Sequence, residues 1–235
     1  NPLTVDSFAL EPGYHYRLVG FKIAPLRGGK YRLRVRVGSE AAYLESVEVR
    51  SEGRASSERE ITHPLSARLG DKISLRGYDL VKVKNPFLWG LLKLLFPRGE
   101  SWIYGLVGAK DPSALRPGDI LDLALFWESE APLERSYTVF THLVGPVPNP
   151  ATGKPVWAQD DQEPMEGLYP TTHGFPNVMW ADHYELALPA DAPPGDYILE
   201  VGMYLRETGE RLPVTGEGAD PESRRIILKT IRVEE

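Results

Sequence analysis

The residues best suited to chemistry in this sequence lie between positions 156 and 184, where acidic, amide, histidine and tryptophan side chains are concentrated. Asp161 and Glu163 could serve as the acid and base of a glycoside hydrolase if they flank a cleft about 5–9 Å wide. Asp160 and Asp161 form a poorer pair, because neighbouring residues of a strand point to opposite faces. The sequence contains no nucleophile elbow, zinc-protease helix or phosphate-binding glycine loop. We therefore expect no catalytic residues, and glycoside hydrolysis is the lowest-ranked alternative.

The same region has the composition of a sugar-binding site. Flat aromatic rings can stack on the C–H faces of sugars, while amide, carboxylate and imidazole groups hydrogen-bond the hydroxyls. The predicted carbohydrate-binding residues are Trp157, Gln159, Asp160, Tyr169, His173 and Trp180. The alternative is that a tryptophan beside proline-rich loops simply closes the end of a β-sandwich.

Ligands for a metal ion are also present. Asp160, Asp161 and Glu163 offer the hard oxygen atoms that calcium prefers, although their spacing matches no EF-hand loop. His173 and His183 have no carboxylate or cysteine at ligand spacing, which favours ordinary hydrogen bonds over metal binding. The sequence has no cysteine, which excludes disulfides and thiolate metal sites. Calcium is the one cofactor that the sequence leaves open.

Strands must position these residues, because two-residue alternation dominates the sequence and sustained helical periodicity is almost absent. At 31–37, apolar residues alternate with arginines, which predicts a strand with one face on a core and the other in water. Short strands separated by Gly and Pro turns predict an all-β, immunoglobulin-like sandwich. The other predicted strands are 4–10, 14–24, 42–50, 73–83, 101–108, 119–127, 137–145, 155–160, 182–188, 196–205 and 225–233.

Tyr197 follows a tight turn that ends at Gly195, and it precedes the inward-facing position of Leu199 by two residues. Immunoglobulin-like sandwiches place at this point a tyrosine whose hydroxyl fixes a loop. We therefore expect the Tyr197 hydroxyl to bond back to the preceding turn.

An internal repeat predicts two units in the chain. The stretch GKYRLRV at 29–35 matches GDYILEV at 195–201, and LESVEV at 44–49 parallels LKTIRV at 228–233. We interpret the chain as a smaller β module at 1–60, a partial repeat, followed by a complete sandwich at 64–235. The polar residues 51–60 would be the linker between them.

Composition and charge exclude some partners. The net charge is −6 and no long run of Lys or Arg occurs, so nucleic acid is not an expected partner. The first residue is Asn1 rather than Met, which predicts a processed protein or a piece of a longer one. Abundant proline and glycine, with few Asn, Gln and Met residues, hint at a thermophile.

The segment NPFLWGLLKLLFPRGESW at 85–102 is unusually apolar. Asn85 can cap a helix and Pro97 prevents its continuation, so a short helix is predicted at 86–96. Such a helix is too short to cross a bilayer, which takes about 20 apolar residues. It could cover the sandwich, dock on a partner protein, or touch a membrane surface through 86–104. The predicted interaction residues of this helix are Phe87, Trp89, Lys93 and Phe96.

Three segments, at 63–80, 116–146 and 182–214, together resemble a module of large bacterial envelope proteins. This module occurs at the extracytoplasmic C-terminal end of dolichyl-phosphate-mannose-type glycosyltransferase-like membrane proteins, and in tandem in other envelope proteins. The resemblance covers about 64–235 and implies an immunoglobulin-like sandwich at the cell surface, secreted, or tethered through an upstream segment. It also implies an accessory role near glycans without catalytic residues. The segment 84–101 departs from the module, whose link at this point is shorter.

Two classes of function follow. The leading hypothesis is a non-catalytic extracytoplasmic module that contacts envelope glycans or partner proteins. The alternative is a structural protein that self-associates into a surface layer or filament, because the strand predicted at 4–10 could pair with a neighbouring copy.

Overall fold

The computed structural model describes residues 29–37, 40–49, 61–83, 108–167, 170–173 and 179–235. The chain divides into two units, Asn1–Glu58 and Arg59–Glu235. In the first unit, β1 (Gly29–Val37) and β2 (Glu40–Val49) form an antiparallel hairpin at two of the predicted strand positions. The interpretation of this unit as a partial repeat of the second stays a prediction.

The described residues of the second unit are almost entirely strands and turns. Apart from a single 3₁₀ turn at Thr171–His173 they contain no helix, and the predicted all-β class is confirmed. The strands are β3 (His63–Leu69), β4 (Ile73–Val83), β5 (Gly108–Lys110), β6 (Ala114–Leu115), β7 (Ile120–Ser129), β8 (Thr138–Val144), β9 (Val156–Gln162), β10 (Met179–Ala187), β11 (Gly195–Tyr204), β12 (Val214–Gly216), β13 (Ala219–Asp220) and β14 (Arg225–Val233).

Two six-stranded sheets form a sandwich. The first sheet has the order β10-β7-β4-β3-β12 with β5 beside β4, and the second has the order β13-β14-β11-β8-β9 with β6 beside β14. Tyr78 of β4 crosses between the sheets, and its hydroxyl donates a 2.8 Å hydrogen bond to the Leu228 carbonyl. Burial raises the pKa of Tyr78 to about 12, which keeps the hydroxyl neutral and able to donate. The residues that point into the sandwich are buried, including Leu121, Leu123, Leu125 and Trp127 of β7 and Leu199, Val201 and Met203 of β11.

The tyrosine predicted to fix a loop does so. Tyr197 is fully buried, and its hydroxyl donates a 2.8 Å hydrogen bond to the Pro193 carbonyl. Gly145 makes room for this ring and for Trp157, because a Cβ at that position would lie 2.5 Å from Trp157 Cδ1 and 2.8 Å from Tyr197 Cε1. The two aromatic rings therefore pack closely against the end of β8.

Several predicted elements lie outside the described residues. They are the strands at 4–10 and 14–24, most of the strand at 101–108, and the helix at 86–96 with Phe87, Trp89, Lys93 and Phe96. Four short or polar strands were not predicted: β3, which contains a proline, and the brief pairings β6, β12 and β13. No helix in the described part of the chain is long and apolar enough to span a membrane.

Candidate functional site

Strand β9 carries several of the predicted site residues, and its alternation sends them to two different faces. Asp160 lies opposite the buried Thr141, and Gln162 lies opposite the buried Val139, so both point toward the first sheet. Gln159 and Asp161 point to the outer face of the second sheet. Asp160 and Asp161 therefore diverge, as the sequence predicts for neighbours in a strand.

The inward-pointing pair connects the two sheets along one side of the sandwich. Asp160 Oδ2 accepts a 2.9 Å hydrogen bond from the backbone N–H of Glu185. Gln162 Nε2 donates a 2.9 Å hydrogen bond to the backbone carbonyl of His183. Both partners belong to β10, the edge strand of the first sheet. The two side chains thus satisfy polar backbone groups that an exposed edge would otherwise offer to another chain.

A buried carboxylate lies beside this connection. The Tyr184 hydroxyl donates a 2.6 Å hydrogen bond to Asp182 Oδ2, and the backbone N–H of Met165 lies 3.1 Å from both carboxylate oxygens. Burial raises the pKa of Asp182 to about 6, while the Tyr184 hydroxyl and the Met165 N–H act in the opposite direction. Met165 and Glu166 have φ angles of 54° and 57°, a region that few residues other than glycine adopt. Asp182 therefore holds a turn that is unfavourable by itself.

The two tryptophans predicted to stack on sugars are buried. Trp157 is 5% exposed and donates a 2.8 Å hydrogen bond from Nε1 to the Val147 carbonyl. Trp180 is 6% exposed on the inner face of the first sheet. Neither ring offers a face to solvent, so the structure favours the alternative in which Trp157 closes the end of the sandwich. Tyr169 lies outside the described residues and His173 lies in the 3₁₀ turn, whereas Gln159 is exposed.

The carboxylates predicted to bind calcium do not converge. Asp160 accepts a hydrogen bond from the backbone of β10 and Asp161 points to the opposite face, while Glu163 lies in the turn after β9. Within the described residues, no three His, Asp or Glu side chains are placed to hold a metal ion. His183 makes the kind of polar contact that was expected of it, with Nδ1 lying 3.3 Å from Asp122 Oδ2.

A group of five paired charged residues lies on the outer face of the second sheet. His142 of β8 lies between two carboxylates: its Nε2 is 3.2 Å from Asp161 Oδ1, and its Nδ1 is 3.5 Å from Glu200 Oε1. Arg225 Nη1 approaches Glu200 Oε2 at 2.5 Å, and Arg225 Nε approaches Asp220 Oδ2 at 3.0 Å. We call these five residues the His142 cluster. It connects β9, β8, β11, β14 and β13 in the order in which they lie in the sheet.

Burial and pairing act against each other in the His142 cluster. Burial lowers the pKa of His142, but hydrogen bonds and attraction from Asp161 and Glu200 outweigh it, so the pKa lies above its usual value. Burial likewise raises the pKa of Glu200, but His142 and Arg225 outweigh it and the net shift is downward. The charged forms of both residues are therefore favoured in the folded protein.

An aromatic residue supports the His142 cluster. The rings of Phe140 and His142 have centroids 4.9 Å apart, and the Arg211 guanidinium lies 4.2 Å from the Phe140 centroid. Phe140 lies over Gly202 of the neighbouring strand, where a Cβ would be 2.4 Å from Phe140 Cζ. A glycine is needed at position 202 for the ring to lie flat against the sheet.

Sequence patterns gave little indication of the His142 cluster. His142, Asp161 and Glu200 occupy the outward phase of three strands, where a charged residue is usually solvated. The one available signal was Glu200, an isolated acid in the apolar run ILEVGMY of 198–204. It became informative after the strand order had placed His142 and Arg225 on either side of it.

Comparisons with known proteins do not assign a family to the chain. No protein-family model matches the sequence. No curated protein is significantly similar to it. Among solved structures, the C-terminal domain of Wzt is 12% identical, with 74% of this chain and 83% of that chain covered and a TM-score of 0.35. The Pseudomonas fluorescens alkylpurine DNA glycosylase AlkC is 16% identical, with 61% of this chain and 36% of that chain covered and a TM-score of 0.30. At these identities and TM-scores, neither likeness indicates a function.

Proposed function

We propose that this chain is a non-catalytic extracytoplasmic accessory module that contacts envelope glycans or partner proteins. It would be part of, or associated with, a membrane-bound glycosyltransferase-like protein. The location and the association come from the sequence resemblance over about 64–235. The lack of catalysis is supported by the contacts that the acidic residues make within the fold.

The observation that carries the proposal is the use of the acidic residues between β9 and β10. Asp160 bonds to the backbone of β10, Asp182 bonds to Tyr184 and to Met165, and Asp161 pairs with His142. A glycosidase needs two carboxylates that face each other across a cleft and are free to exchange protons with substrate. Here these three carboxylates connect strands and fix a turn, which is what an accessory module requires of them.

Gln159 is the place at which we propose that a glycan is contacted. It is the predicted sugar-binding residue whose side chain is exposed in the described part of the chain. It lies directly opposite His142 in the β8–β9 pairing, on the outer face of the second sheet. An exposed amide carries both hydrogen-bond donors and acceptors, which suits sugar hydroxyls.

The test is binding of the labelled chain to an immobilised panel of purified bacterial envelope polysaccharides. We expect at least one polysaccharide to be retained, and we expect Gln159→Ala to weaken that binding at least about tenfold, or about 1.4 kcal/mol. Thr230→Ala is the matched control, because Thr230 is an exposed residue of β14 in the same sheet. Equal loss in both variants would contradict a contact at Gln159, and no retention of any polysaccharide would contradict glycan binding.

A further inference from the structure

We propose that protonated His142 holds β9 and β11 to β8 through its contacts with Asp161 and Glu200, and that these contacts weaken when the imidazolium loses its proton. We call this arrangement the clasp. The clasp gives the proposed accessory module a response to external pH. It concerns the outer face of the second sheet, and it does not depend on whether the chain binds glycans.

The number of protons on the His142 ring decides how many of its contacts are attractive. Both ring nitrogens of His142 face carboxylate oxygens, at 3.2 Å for Asp161 and 3.5 Å for Glu200. Ionised carboxylates accept hydrogen bonds and cannot donate them, and a neutral imidazole has one N–H. Both contacts are therefore attractive at the same time when the ring carries two protons. In the neutral ring, one nitrogen lone pair faces a carboxylate.

The two carboxylates differ in their partners, because Asp161 pairs with His142, whereas Glu200 pairs with both His142 and Arg225. Glu200 keeps its bond to Arg225 whatever the state of the imidazole. Asp161 Oδ1 is buried and makes no hydrogen bond of good geometry among the described residues, so its 3.2 Å ion-pair contact with His142 Nε2 is what offsets its charge there. A buried acceptor without a donor costs about 1–3 kcal/mol, and more when it is charged. Loss of the proton therefore acts mainly on the contact between β8 and β9.

Charged groups from four strands surround the His142 ring. From β9 comes Asp161, from β11 come Glu200 and Tyr204, whose pKa is raised by burial and further by Asp161, and from β14 comes Arg225 with its β13 partner Asp220. Arg211 lies above the neighbouring Phe140 ring. Arg206 acts on the Tyr204 hydroxyl. The ring itself contacts two carboxylates, and the guanidinium of Arg225 that pairs with Glu200 is shared with Asp220. The imidazolium therefore offsets negative charge beside it that the neutral ring does not offset.

The consequence falls on the side of the sandwich where β9 meets β10. β9 is the edge strand that carries Asp160 and Gln162, and their bonds to Glu185 and His183 connect the two sheets. Weaker pairing of β9 with β8 should therefore increase the opening of both connections. The folded pKa of His142 is raised, so the stabilisation is complete below the usual value of 6.5 and is lost as pH rises through the folded pKa.

The test measures the protonation of His142 by NMR and the amide hydrogen exchange of β9 between pH 5 and 8.5, after correction for intrinsic exchange rates. We expect His142 to titrate above 6.5, and β9 protection to fall as the ring loses its proton. His142→Gln should remove the pH-dependent part of that protection. His63→Gln is the matched control, because His63 contacts one carboxylate, that of Asp111 at 3.0 Å, and should leave β9 unchanged.

Asp161→Asn provides a second variant that keeps the shape of the site if His142→Gln does not fold. Asp161→Asn should lower the His142 pKa and reduce the pH dependence of hydrogen-exchange protection in β9. Titration of His142 at or below 6.5 would overturn the clasp. The same pH profile for β9 in the unmodified protein and in either variant would overturn it as well.

Discussion

Replacement of Asp182 by asparagine should change how the stability of the sandwich depends on pH. Asp182 is 3% exposed, and burial raises its pKa from 3.8 to about 6. The folded protein therefore holds a proton on this group at pH values where the unfolded chain has released it. Such a group stabilises the fold fully below pH 3.8, and the contribution is lost as pH rises through about 6.

The size of the expected change in unfolding free energy follows from the shift in the Asp182 pKa. About two pKa units at about 1.4 kcal/mol each correspond to about 3 kcal/mol of unfolding free energy. Asp182→Asn cannot ionise, so the unmodified protein should lose about 3 kcal/mol relative to the variant between pH 3.5 and 7. The cost of losing an acceptor for Met165 or Tyr184 is the same at every pH. That cost displaces the variant's curve of unfolding free energy against pH relative to the unmodified protein's curve, without changing the difference in their slopes.

The assay is urea unfolding followed by tryptophan fluorescence at pH steps from 3.5 to 7.5. Tyr184→Phe supplies an internal check, because it removes a hydrogen bond that lowers the Asp182 pKa and should move the pH window upward. Other titrating groups are common to all three proteins and cancel in the comparison. Parallel stability curves for the unmodified protein and Asp182→Asn would refute the reasoning.

Two further predictions concern packing. Gly202→Ala should destabilise the sandwich by about 1–3 kcal/mol, because its Cβ would meet the Phe140 ring at 2.4 Å. Urea unfolding measures this in Gly202→Ala and in the double variant Gly202→Ala with Phe140→Leu. Failure of the smaller leucine side chain to restore stability would contradict the prediction. In the helix predicted at 86–96, three- and four-residue spacing places Leu88, Leu91, Leu92 and Leu95 on one inward face, so alanine at any of them should cost about 2–5 kcal/mol. Polar replacement of the outward Trp89, Lys93 or Phe96 should cost less than about 1 kcal/mol and weaken self-association, partner binding or liposome binding. Equally severe destabilisation by both sets would show that the segment is simply core.

Alternation predicted most of the long strands because strands such as β10 bury every second residue, although β7 is buried on both faces from Leu121 to Trp127. The predicted strand 73–83 is β4 and the predicted strand 225–233 is β14, with the same bounds. Tyr197 was predictable for a related reason, since a tight turn and an inward-facing Leu199 fix where its ring must go. The strand β3 was missed because Pro64 and the polar residues of HPLSARL hide its alternation.

The candidate site was less predictable because it depends on which strands are neighbours. Trp157 and Asp160 lie in the expected region, but their surroundings decide their roles. The ring of Trp157 packs beside Gly145, and the carboxylate of Asp160 bonds to β10, the next strand in sequence but the edge strand of the other sheet. The carboxylates that contact His142 come from two other strands, and Arg225, which pairs with Glu200, comes from a third. Periodicity assigns a face to each of these residues, and the strand order alone brings them together.

The most direct test of the central claim is a measurement of released reducing ends when the chain is incubated with the polysaccharide that it retains. An accessory module should bind the polysaccharide and leave the number of reducing ends unchanged over a long incubation. New reducing ends that disappear when Asp161→Asn or Glu163→Gln is used instead would show that the carboxylates catalyse hydrolysis. That result would contradict the proposal that the chain is a non-catalytic module.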